Sequence, residues 1–164
     1  MPVVFRQLLY AFAAGLALGA ASLAGYAAWV RFSTPTVIAG APPAGCDLQR
    51  EPCRARFPGG GEMIVTLAPQ PIPVLKPVHV SVELLDLRAD SVEVDLSSPD
   101  MYMGYNRRPL RALATDHYAG HTVLPVCILD RMRWTLRAIA RSDKTVHEAA
   151  FEFETMTNRA RAPE

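Results

Sequence analysis

The chain has 164 residues, 50% of them hydrophobic and 20% charged, with 17 Lys and Arg against 16 Asp and Glu. That balance excludes the basic footprint of a nucleic-acid binder and the polyanionic make-up of a charged tail. The mean hydropathy of +0.10 is high for a soluble protein, and the excess is concentrated in residues 8–30, 23 consecutive positions without a charge.

As a helix rising about 1.5 Å per residue, this run reaches roughly 35 Å, enough for a hydrocarbon core of ~30 Å. A cleaved signal peptide is the competing reading, but its apolar region is typically ~7–15 residues. Trp29, Arg31 and Phe32 make an interfacial anchor at the far end, which favours an uncleaved transmembrane helix over residues 1–32. Arg6 lies before the span and Arg31, Arg50, Arg54 and Arg56 after it, so charge alone does not orient it. The short leader cannot hold a domain, and the cysteines below suit an oxidising compartment. The expected arrangement is a single pass through the inner (cytoplasmic) membrane, amino terminus inside and the following domain in the periplasm. Gly15 and Gly19, with Ala11, form a small-residue face suited to packing against a partner helix.

Residues 33–61 are rich in Pro and Gly and read as an extended stalk. Within them Cys46 and Cys53 bracket the hydrophilic residues 47–52. In an oxidising compartment such a loop is a natural disulfide staple, whereas six intervening residues do not match the short spacings of structural zinc sites. Ala44, Gly45 and Cys46 resemble the end of a lipoprotein processing box, but Pro43 replaces the expected Leu and 15 residues separate the end of the apolar run at Val30 from Cys46.

From residue 62 the period changes to two. Met63, Val65 and Leu67 alternate, as do Val78, Val80, Val82 and Leu84, then Val92, Val94 and Leu96. Further alternation runs through 123–127, through Met132, Trp134, Leu136 and Ala138, and through Phe151, Phe153 and Thr155. Turn signals separate these runs at 88–90, 97–100, 116, 129–131 and 142–144. The expectation is an all-β domain over 62–156, an immunoglobulin-like antiparallel β-sandwich of about seven strands, with a tail at 157–164. No phosphate loop, serine elbow, zinc-protease helix or C-x-x-C pair is present, and the carboxylates form no clear acid/base pair, so the chain does not read as an enzyme.

Cys127 is the odd cysteine, with a buried free thiol as the bland reading. The sharper reading groups it with Met101, Met103 and Met132. Thioether and thiolate are soft donors that select cuprous copper, and Met101 and Met103, two apart in an extended segment, point the same way. Cys127 or Met132 would close a third side if the loops share one end of the domain, and His117 and His121 are candidate nitrogen ligands.

An amino-terminal span, a Pro-rich stalk and a small β-domain together resemble the FixH/YtkA-like families of bacterial membrane-anchored proteins. The resemblance rests on the run from Met101 through Tyr102, Met103, Gly104 and Tyr105 to Arg107, on Asp116 to Gly120, and on Met132, Arg133 and Trp134. It implies a periplasmic location and an association with copper(I) handling or the assembly of a membrane complex such as a respiratory oxidase. Two functions follow: a membrane-tethered copper-binding accessory protein using Met101, Met103, Cys127, Met132 and His121, or a metal-free interaction module that is an accessory subunit of a membrane complex. No nucleic-acid partner is expected.

Overall fold

The computed structural model describes residues 3–102, 104–125 and 131–156. Met103, Cys127 and the tail at 157–164 lie outside the described residues. The chain divides into two units, Met1–Pro35 and Thr36–Glu164.

The first unit is one helix, α1 (Val3–Ser33), with no buried residue. Leu and Ala favour the helical backbone, and Arg31 in the last turn complements the negative end of the helix dipole. Thr34 closes the helix by donating its N–H (3.1 Å) and its hydroxyl (2.6 Å) to the Val30 carbonyl. Pro35 has no N–H with which to continue the ladder. α1 is long and apolar enough to cross a membrane.

Among the described residues the second unit has nine strands: β1 (Thr36–Gly40), β2 (Cys53–Arg56), β3 (Glu62–Ala68), β4 (Pro77–Leu85), β5 (Ser91–Ser97), β6 (Arg107–Ala112), β7 (His117–Val123), β8 (Arg131–Arg141) and β9 (Thr145–Met156). They form one mixed sheet in the order β1-β9-β8-β5-β6-β7-β4-β3-β2. β1 runs parallel to β9, from Thr36 opposite Thr145 to Gly40 opposite Ala149, and the other neighbours are antiparallel. Two features curl the sheet. β6 pairs with β5 through residues 107–110 and then with β7 through Arg111 and Ala112. At the outer edges Ala41 bridges Arg56 by reciprocal backbone hydrogen bonds of 3.0 and 3.1 Å, so the two ends of the sheet meet and the unit is barrel-like.

The strand count therefore exceeds the expected seven. The additional strands have a common cause, the need to cover edges that would otherwise expose unpaired backbone. β1 covers β9 and β2 covers β3, both from the segment expected to be a stalk. Its prolines 35, 42, 43, 52 and 58 all fall outside the strands, where no ladder N–H is needed. Leu48, Cys53, Ala55 and Phe57 are buried, so this segment contributes side chains to the core. Of the strand expected at 123–127, Val123 is the last residue of β7, Leu124 and Pro125 lie outside any strand, and 126–127 fall outside the described residues.

Alternation sends Trp134, Leu136, Phe151, Met63, Leu67 and Leu84 to the interior, each such burial contributing ~1.5–3 kcal/mol. The indole N–H of Trp134 donates to the Thr155 hydroxyl at 2.8 Å, satisfying the main polar group of this core. The β2–β3 turn needs glycine: Gly61 has φ +85°, and a Cβ there would collide with the Leu87 side chain.

Candidate functional site

The connections 41–52, 69–76 and 98–106 gather at one end of the β unit, and specific hydrogen bonds hold them there. Gln49 accepts from Ile72 N through Oε1 (2.8 Å) and donates through Nε2 to Glu154 O (2.7 Å), while Gln70 Nε2 donates to Leu48 O (3.1 Å). The loop carrying Gln49 is itself closed, because Cys46 and Cys53 stand at disulfide distance, with Sγ–Sγ 1.96 Å and Cα–Cα 5.8 Å. On the other side Asp100 accepts the backbone N–H of Arg133 (2.8 Å) and its guanidinium Nε and Nη2 (3.1 and 2.6 Å). These hydrogen bonds to Arg133 hold the Asp100 carboxyl below its ordinary value. The 98–106 loop is thereby pinned to the start of β8.

Between these loops lie two neighbouring clefts. One, of about 290 Å³, is lined by Asp47, Pro99, Arg133, Glu152 and Glu154 over the edge of Trp134. The other, of about 510 Å³, has Gln49, Pro71, Ile72, Val74, Lys76 and Met156 on its walls. The same loops expose aromatic and apolar side chains: Tyr102 is 93% exposed and Tyr105 84%, with Leu75 and Met101 also exposed. Arg107 packs 6.0 Å from the centre of the Tyr105 ring. The opposite end holds the tight turns 57–61, 86–90, 113–116 and 142–144, and there the chain enters the β unit, with Thr36 N donating to Lys144 O at 2.8 Å.

The residues expected to bind soft metal are distributed differently. Met101 lies on the loop rim, whereas Met103 and Cys127 fall outside the described residues. Met132, 2% exposed, is a core side chain, because it shares the inward parity of Trp134 and Leu136 on β8. His121 stands on the outer face of β7 against His79 of β4, with ring centres 5.1 Å apart. His117 instead lies 3.4 Å from the Ser81 hydroxyl. Among the described residues no group of three or more His, Cys, Asp or Glu side chains is placed to hold a metal ion. Gly15 and Gly19 lie on α1 with open space beside them.

Two participants are not visible in the sequence. His79 sits in an ordinary alternating strand, and its partner is fixed only by strand register. Asp100 looks like a turn residue, and only the fold places it beside Arg133. No protein-family model, no curated protein and no solved structure matches this chain.

Proposed function

We propose that the protein is a membrane-tethered, periplasmic interaction module, an accessory subunit that docks onto a membrane protein complex through the loop end of its β unit. The observation that carries this reading is the exposure of Tyr102 and Tyr105 on a loop that Asp100 and Arg133 hold in place. Exposed aromatics on a fixed loop offer large contact area at low ordering cost, the property that makes Tyr a frequent interface anchor. An apolar helix of 31 residues supports the tether. The Cys46–Cys53 pair supports the oxidising side of the inner membrane.

The immunoglobulin-like reading of the β unit draws support from strand order. β3-β4-β7-β6 and β5-β8-β9 follow the A-B-E-D and C-F-G order of that connectivity, with β6 crossing between the two layers and β1 and β2 added at the edges.

The test is site-specific photo-crosslinking from position 102 of the full chain in native membranes, with position 113 in the β6–β7 turn as the control. Adducts with a membrane protein are expected from position 102, reduced in Tyr105→Ala, and not from 113. Equal labelling from both positions contradicts the reading.

A second reading, cuprous copper handling in the assembly of a respiratory oxidase, keeps one supporting observation: the Asp100–Arg133 link brings the Met101 loop to the start of β8. Met101 and Met103, with Cys127, would be the soft donors, in keeping with the FixH/YtkA-like resemblance. Competition for Cu(I) against a chelator tests it, since binding must weaken in Met101→Ala/Met103→Ala.

A further inference from the structure

Three of the four histidines lie on the outer surface of the β4–β7 pair, and two of them face each other. Antiparallel register sets His79 directly opposite His121. The alternation that buries Val78 and Val80 on β4, and Thr122 on β7, turns both imidazoles outward. Directly opposed residues have Cβ atoms about 4.5–5.5 Å apart, so the pairing belongs to the backbone and not to a chance rotamer. The rings meet at 64° with centres 5.1 Å apart.

That spacing is informative about a ligand. A zinc–imidazole bond is ~2.0–2.1 Å, which puts a ring centre about 3.2 Å from the ion, and two such rings at a tetrahedral angle have centres about 5 Å apart. The separation of the two ring centres therefore matches the one that joint coordination requires. Neighbouring pairs on the same face are Pro77 with Val123 and Ser81 with Ala119, and Ala68 of β3 stands opposite His79. These positions are uncharged; the guanidinium flanking them is that of Arg111, which stands opposite Ala119 on β6. Solvent is free to fill the remaining coordination positions.

We propose that His79 and His121 form a two-imidazole site for a divalent first-row transition ion, with Cu(II) held more tightly than Zn(II) as the general affinity order requires. This site is separate from the Met101 loop in position, donor type and preferred oxidation state. It rests on neither reading of that loop. A cross-strand pair that only packs ring against ring is the alternative it must beat.

The experiment uses the untagged full chain in detergent, titrated with zinc chloride and with cupric chloride against a chromophoric chelator, and compares His79→Ala, His121→Ala, the double variant and His117→Ala. All three positions lie on the outer strand face, and an unchanged metal-free unfolding temperature confirms that each variant is folded. Loss of either ligand is expected to weaken binding about tenfold or more, because even the outer partners of a ligating histidine are worth ~10–100-fold. The double variant should be no worse than the singles, and His117→Ala and Met101→Ala/Met103→Ala should bind as wild type. Cupric electron paramagnetic resonance should show nitrogen coupling that disappears with either histidine. Saturating zinc should raise the unfolding temperature of wild type and raise that of either single variant clearly less. Affinities within twofold of wild type in His79→Ala and His121→Ala, or an equal loss in His117→Ala, would overturn the proposal.

Discussion

At the scale of single residues, the polar groups decide more than their number suggests. Trp134 is the largest core side chain, and its indole N–H has one partner, the Thr155 hydroxyl. Thr155→Val keeps the shape and removes the acceptor, so a buried donor is left unpaired at a cost of about 1–3 kcal/mol. Denaturant unfolding of the full chain in detergent measures this, and a loss below about 0.5 kcal/mol would show that the hydrogen bond contributes little. Asp100 gives a pH signature. Its carboxyl is held below its ordinary value of 3.8 by hydrogen bonds to Arg133, so the contribution of the link is complete above that value and is lost as the pH falls through the lower folded value. The gap in unfolding temperature between wild type and Asp100→Asn should be steady from neutrality to about pH 5 and close in stronger acid. A gap that stays constant down to about pH 2 would contradict the assignment. Neither contact is readable in sequence, because Trp134 and Thr155 are 21 residues apart and Asp100 and Arg133 are 33 apart. For the same reason His121 could be singled out as a ligand while His79, its partner by register, could not.

Elements were legible where one face is buried and the other wet. β3, β4, β5, β8 and β9 announce themselves by alternation because each contributes three or more inward apolar side chains. β1, β2, β6 and β7 do not. β6 buries only Leu110, and its arginines and Pro109 disguise it as a loop. β1 and β2 are short and sit among prolines, and what makes them strands is the exposed edges of β9 and β3, which local sequence does not contain. The disulfide loop belongs to this scale as well. It links β1 to β2, buries Leu48 and Cys53, and supplies Gln49 to the loop end. Closing a loop of this size lowers the entropy of the unfolded chain by an amount worth about 2–3 kcal/mol. Cys46→Ser/Cys53→Ser should therefore unfold at lower denaturant, and reductant should lower the wild type to the same point. A wild type indifferent to reductant would mean that the loop is held by its hydrogen bonds alone.

For the whole molecule, run length was enough to read α1 from the sequence, since 23 uncharged residues leave few alternatives. Closure of the sheet was not readable, because it depends on the Ala41–Arg56 bridge and on a β6 that changes partners half-way. Closure also separates the two ends of the β unit, one made of tight turns and the other of long, cross-braced loops with exposed tyrosines. That division supports assigning docking to the loop end. It presupposes a chain anchored by α1 with the β unit on the oxidising side of the membrane, which is the central claim. The most direct measurement is cysteine labelling of the Cys127→Ala chain in cells with a permeable outer membrane, using a thiol reagent that does not cross the inner membrane. The prediction is a membrane-bound protein in which neither Cys46 nor Cys53 reacts until reductant is added, after which the partly exposed Cys46 is labelled from outside while Cys53 stays buried. Labelling without reductant, or labelling only after the inner membrane is opened, would contradict it.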